Sequence, residues 1–158
     1  MLHDTVEDEP EQFSAVIAGH QSTSEHDARE HAFAYLSGRF GPQVEAIVRA
    51  LSNPLQKHGL SREQKNAAYV EHVAEAIASP HVLVAKFVDF ADNALSLHHS
   101  ADRGYAKRQA TKYGPLVPIF AARLEDDDVR ILFGADAVSQ MKAQLADNRL
   151  AEFATATV

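Results

Sequence analysis

Apolar residues recur along this chain at three- and four-residue intervals, the period of a helix rather than of a strand. Val44, Ile47, Val48 and Leu51 form a core-facing stripe that opens at Pro42, a residue suited to a first helical turn, and stops at Ser52-Asn53-Pro54. Before it, Phe33 and Leu36 predict a helix over 27–39 that ends at Gly41 and starts in the polar SEHDARE stretch. Residues 11–26 carry only Phe13, Val16 and Ile17 ahead of the turn-like GHQSTSE, which reads as a loop with a partial helix. After the loop PLQKHGL, Ser61 followed by Gln64 is a capping box for a helix over about 62–79, with Tyr69, Val70, Val73, Ala74 and Ile77 on its buried face. Pro115 and Pro118 start or kink a helix to Leu124, an acidic turn spans 125–128, and a last amphipathic helix over 136–153 carries Val138, Met141 and Leu145. The pattern predicts one all-α domain over 1–158, with roughly six to eight helices and no strand, repeat or low-complexity segment.

The segment between Pro80 and the double histidine His98-His99 stands apart, because LVAKFVDFADNALSL from Leu83 to Leu97 is apolar almost all the way round. Such a helix belongs in a core. At about 100° per residue, Lys86, Asp89, Asn93 and Ser96 fall on one narrow stripe, with Asp92 at its edge. A carboxylate there requires compensation by a metal, a cation or hydrogen bonds. Lys86, one turn before Asp89, is the ordinary ion-pair candidate, and a metal is the other.

Composition narrows the classes. The 158 residues, 46% of them hydrophobic, can bury a real core, and a formal charge of −7 argues against a general nucleic-acid binder. Cysteine is absent, which removes disulfides and thiolate metal sites and suits a reducing cytoplasm. No run approaches a membrane span, and nothing resembles a signal peptide.

Candidate chemistry sits at the two polar ends of the pattern. In the opening LHDTVEDEP, the last turns of a helix stopped by Pro10 would fan His3, Asp4 and Glu7 over one face, with Asp8 beside them. Imidazole and carboxylates together suit a divalent cation and a bound water, and a frayed acidic terminus accounts equally for the composition. In the run RGYAKRQATKYG, the basic residues Arg103, Lys107, Arg108 and Lys112 suit phosphate groups, or form a solvated helix face. His58, His72 and His81 lack partners at metal-ligand spacing and read as solvated or capping histidines, while His98 and His99 suit the end of a helix.

The ordered set HDTVEDE, FGPQVEAIVRALSNP, VLVAKFVDFADNALSL and KYGPLVPIFAARL resembles the HD-domain metal-dependent phosphohydrolases, over about residues 1–124. It is most similar to the hydrolase domain of the Rel and SpoT alarmone enzymes, which remove pyrophosphate from the 3' position of guanosine tetra- and pentaphosphate. The resemblance implies an HD-like helical bundle with a C-terminal helical extension over 125–158. It implies that His3, Asp4 and Asp89 bind a divalent ion, commonly manganese, and that Glu7 and Asp8 position or activate the hydrolytic water. A nucleotide polyphosphate would then meet Asn93 and Lys86, with Lys107 and Arg108 helping to neutralise phosphate charge. The family's further histidine, on a helix well before the HD pair, has no counterpart here, so the domain is expected to be truncated at its N-terminus relative to the family. Asp92 stands where the family usually has histidine, and Ile119 where an arginine is expected. Truncation predicts exposed apolar surface and self-association into a homo-oligomer. A catalytically inactive HD-type domain that binds nucleotide or a protein partner is the alternative within the resemblance. A helical protein with an internal ion-pair network is the alternative outside it.

Overall fold

The apolar periodicity is realised as helices: the computed structural model describes residues 2–17, 19, 21–55 and 59–155, and no strand occurs among them. The chain divides into two compact units, Met1–Gly59 and Leu60–Val158, where the sequence reading treats 1–158 as one domain. Among the described residues no helix is long and apolar enough to cross a membrane.

The first unit contains α1 (Leu2–Asp8), α2 (Pro10–Gln12), a π-helical turn (Phe13–Ile17), α3 (Glu25–Phe40) and α4 (Pro42–Leu51). Its core gathers Val6, Phe13, Ala32, Phe33, Leu36 and Val48. Ser24 caps α3 by accepting a hydrogen bond from the Asp27 amide at 3.1 Å. Gly41, at φ +90°, makes the corner into α4, a backbone conformation that side chains with a Cβ rarely adopt, and Pro42 opens that helix as expected. Arg49 ties the two helices together: it bonds both carboxylate oxygens of Glu30 at 2.6 and 3.0 Å and Glu45 at 2.6 Å, and lies 4.1 Å over the Phe33 ring.

The second unit contains α5 (Arg62–Ala76), α6 (Pro80–Ala94), a 3-10 turn (Leu95–His99), α7 (Arg103–Tyr113), α8 (Leu116–Arg123), α9 (Asp127–Phe133), α10 (Ala135–Ala146) and α11 (Leu150–Thr155). Phe87, Phe90, Tyr113 and Phe120 interlock at its centre, with Phe90 and Phe120 centroids 5.0 Å apart. Gly114 lets α7 turn into α8, because a Cβ there would meet the Ala110 carbonyl at 2.9 Å. Arg123 joins two turns that are distant in sequence. It donates to the carbonyls of Ile77 at 3.0 Å and Ala78 at 2.8 Å, and to the carboxylates of Asp126 at 2.9 Å and Asp128 at 2.6 and 2.7 Å.

Several boundaries differ from the sequence reading, and there are more helical segments than the six to eight expected. Pro80 is the first residue of α6 rather than a separator, and the helix yields to the 3-10 turn at Leu95. The expected helix over 136–153 breaks at Asp147, where Asn148 donates to the Leu145 carbonyl and accepts from the Leu150 amide, serving both helix ends. The acidic turn at 125–128 leads directly into α9, whose first-turn Asp127 and Asp128 suit the positive end of a helix dipole. The capping box at Ser61 forms as expected.

Candidate functional site

In α1, Val6 anchors the helix in the core of the first unit, and His3, three residues earlier, is carried inward with it. The His3 imidazole is buried. Its Nε2 lies 3.1 Å from Asp4 Oδ1, and its Nδ1 is screened from solvent with no hydrogen-bond partner among the described residues. A buried polar nitrogen left in that state costs about 1–3 kcal/mol.

Glu7 is held differently. One carboxylate oxygen accepts from the Asn53 backbone amide at 2.9 Å and the other from its side-chain Nδ2 at 2.8 Å. Arg29, itself buried, donates to the Asn53 carbonyl at 2.9 Å and to the Val6 carbonyl at 3.4 Å. Glu7 and Arg29 thus latch α1 to the end of α4, while Asp8 is exposed.

In the second unit α6 presents a broader polar face than the stripe read from the sequence. Val88, expected to face the core, is 51% exposed, and Asp89 is half-buried rather than enclosed. Asp89 Oδ1 accepts from Asn93 Nδ2 at 2.8 Å, and the same nitrogen donates to the Asp89 carbonyl at 2.9 Å. Lys86 falls on the other side of the boundary: it is only 2% exposed, with its ammonium 6.0 Å from the centre of the Tyr69 ring.

Three helices converge on that ring. Lys112 from α7 lies 4.3 Å over Tyr69 from α5 and 4.8 Å from the Tyr113 ring, and its ammonium reaches the Tyr113 hydroxyl at 3.5 Å. Tyr69 and Tyr113 meet edge to face at 5.9 Å. Burial, and then the negative charge of Asp89, push the Tyr113 phenol up to about 12. The sequence pattern puts Tyr69 on a buried face, and the family resemblance singles out Lys107 and Arg108 rather than Lys112. On a helical wheel Lys107 lies about 140° from Lys112, on the opposite flank of the buried face of α7. Arg108 is exposed, on the Lys112 side. The sequence signal for Tyr113 is its place in KYGPLVPIF; none marked Tyr69.

Among the remaining histidines, His81 is exposed as expected, whereas His72 is half-buried with its Nε2 screened from solvent. His98 donates to the Leu95 carbonyl at 2.9 Å, matching its expected place at a helix end. His58 lies outside the described residues. No group of three or more His, Asp or Glu side chains among the described residues could hold a metal ion. Comparison with protein-family models, with curated proteins and with solved structures finds no match for this chain.

Proposed function

We propose that the chain is a metal-dependent phosphohydrolase of the HD type, acting on a nucleotide polyphosphate such as guanosine tetra- or pentaphosphate. The observation that carries this reading is the His3–Asp4 pair, with its buried imidazole and donor atoms 3.1 Å apart. Two neighbouring ligands of one ion, each bonded at about 2.1 Å and at right angles, stand roughly 3 Å apart, so this pair fits one edge of a coordination shell. A manganese ion suits such nitrogen and oxygen donors. Once bound, such an ion supplies a water whose pKa is brought near neutrality.

The chain's own residues then divide the work. Asp8, exposed one helical turn after Asp4, would be the residue to orient a water and take its proton. Glu7, fastened to Asn53, fixes the pitch of α1. Within the second unit, Asn93 holds the Asp89 carboxylate at 2.8 Å.

A second reading, an HD-type domain that binds nucleotide without hydrolysing it, is favoured by the Glu7 carboxylate, both of whose oxygens are taken by Asn53. Manganese titration followed by electron paramagnetic resonance, with pyrophosphate release from guanosine tetraphosphate measured in parallel, separates the readings. Weak binding that is lost in His3→Ala and Asp4→Ala, together with turnover, is expected. Binding without turnover selects the inactive module, and no binding overturns both.

A further inference from the structure

A second constellation of reactive side chains lies in the first unit, outside α1. Ser14, fully buried on the π-helical turn, and Ser22, on the approach to α3, have hydroxyl oxygens 2.8 Å apart. Both face the same imidazole nitrogen, His31 Nδ1, at 3.3 and 3.4 Å. On the far side of the ring, His31 Nε2 lies 3.6 Å from Asp27 Oδ1, one helical turn earlier. Asp27 is held in turn, because its other oxygen accepts from the Thr23 amide at 2.8 Å and from the Thr23 hydroxyl at 3.2 Å. These bonds, with the nearby imidazole, keep its carboxyl below the ordinary range.

The Asp27 carboxylate, 3.6 Å from Nε2, favours a proton on that nitrogen through its charge, and in that tautomer Nδ1 accepts from a serine hydroxyl. That is the order of a hydroxyl nucleophile, a base, and a carboxylate that orients the base. Ser22 is partly open to solvent, as is the His31 side chain, 31% exposed. Ser14 is closed off, and its contact fixes the position of the Ser22 oxygen.

We propose that Ser22, His31 and Asp27 form a nucleophilic centre that accepts the acyl group of an activated carboxylic ester. Ser22 Oγ bonds to the carbonyl carbon as its proton passes to His31 Nδ1. The tetrahedral adduct collapses by breaking the bond to the leaving oxygen, which takes the proton from Nδ1 and departs as an alcohol. Water then attacks the acyl-serine, gives its proton to Nδ1, and the carboxylic acid leaves as Ser22 recovers its hydrogen. The Asp27 carboxylate stays ionised throughout and stabilises the imidazolium. This site is independent of the metal-dependent reading and shares no residue with it.

The test is labelling of the full native chain with a fluorophosphonate probe, which reacts with activated serines, followed by peptide mass spectrometry to locate the adduct. An adduct on Ser22 that is absent after denaturation in urea is expected, and its rate of formation should fall about 100-fold in His31→Gln. Absence of any Ser22 adduct in the native chain overturns the proposal. So does labelling at a rate unchanged in His31→Gln, provided its circular dichroism matches the parent.

Discussion

Both carboxylate oxygens of Glu7 are satisfied by one residue, Asn53, 46 positions away in sequence. Hydrogen bonds to a charged acceptor contribute about 1.5–3 kcal/mol, so Glu7→Ala should lower stability by roughly 2 kcal/mol in a urea titration without changing its slope. A loss of hydrolysis without a loss of stability would instead return Glu7 to the water-handling role that its place in HDTVEDE suggested. Asp89 gives a second residue-level test, because its charge is one cause of the elevated Tyr113 phenol. In a chain with no tryptophan and only four tyrosines, alkaline difference absorbance should resolve a phenol that ionises near pH 12. Asp89→Asn should move that titration to lower pH. A folded phenol above the unfolded value of about 10 stabilises the protein fully below pH 10, and this stabilisation is lost as the pH rises toward 12. The HD dipeptide, the acidic pair after it and Asp89 with Asn93 were legible as residues because each group is local in sequence. The burial of Lys86 was not, since its wheel position borders the polar stripe and only the packing of Tyr69 from another helix decides its side.

At the scale of elements, two helix starts are legible because a cap or a first-turn proline is written in two or three adjacent residues, whereas Pro80, which opens α6, reads as a separator. Ser61 with Gln64 and Pro42 after Gly41 both act as their chemistry dictates. Helix ends were less so. Asn148 breaks the last predicted helix through bonds in both directions, which the run of apolar residues around it conceals. Arg123 connects separate elements of the second unit through four partners. Its replacement by Ala strips donors from the Ile77 and Ala78 carbonyls and from two carboxylates, and should cost about 2–4 kcal/mol by denaturant titration. Lysine cannot span these four partners, so Arg123→Lys should recover less than half of the loss. The Arg123 guanidinium holds the Asp128 carboxyl below its ordinary value, so this contact supports the fold above the unfolded carboxylate pKa. The support is lost as the pH falls through the lowered value, and the alanine variant should show a shallower acid dependence.

For the whole molecule, residues 56–58 of the expected loop lie outside the described residues, and the division of contacts at Gly59 is not visible in the sequence, because turn-forming residues mark a break in structure without saying whether the core continues across it. The second unit holds its own apolar cluster, from Val73 to Leu150. Residues 60–158 produced alone should therefore be helical by circular dichroism and melt in one cooperative transition; a gradual, featureless melt would contradict this. The all-helical class was legible from periodicity, whereas the meeting of Tyr69, Lys86 and Tyr113 depends on how three helices pack. Within this unit, the Arg123 clamp has a consequence for the route to the native state. It joins the turn at residues 77–78 to one about 45 positions later, so it closes only when an intervening stretch containing α6 and α7 has been gathered in. We expect a contact with that loop-closure cost to form after the rate-limiting step, so that its removal accelerates unfolding while leaving the refolding rate almost unchanged. In stopped-flow experiments on Arg123→Ala, the unfolding limb of the chevron should rise and the folding limb should stay in place, so the clamp governs how long the native state lasts rather than how quickly it is reached.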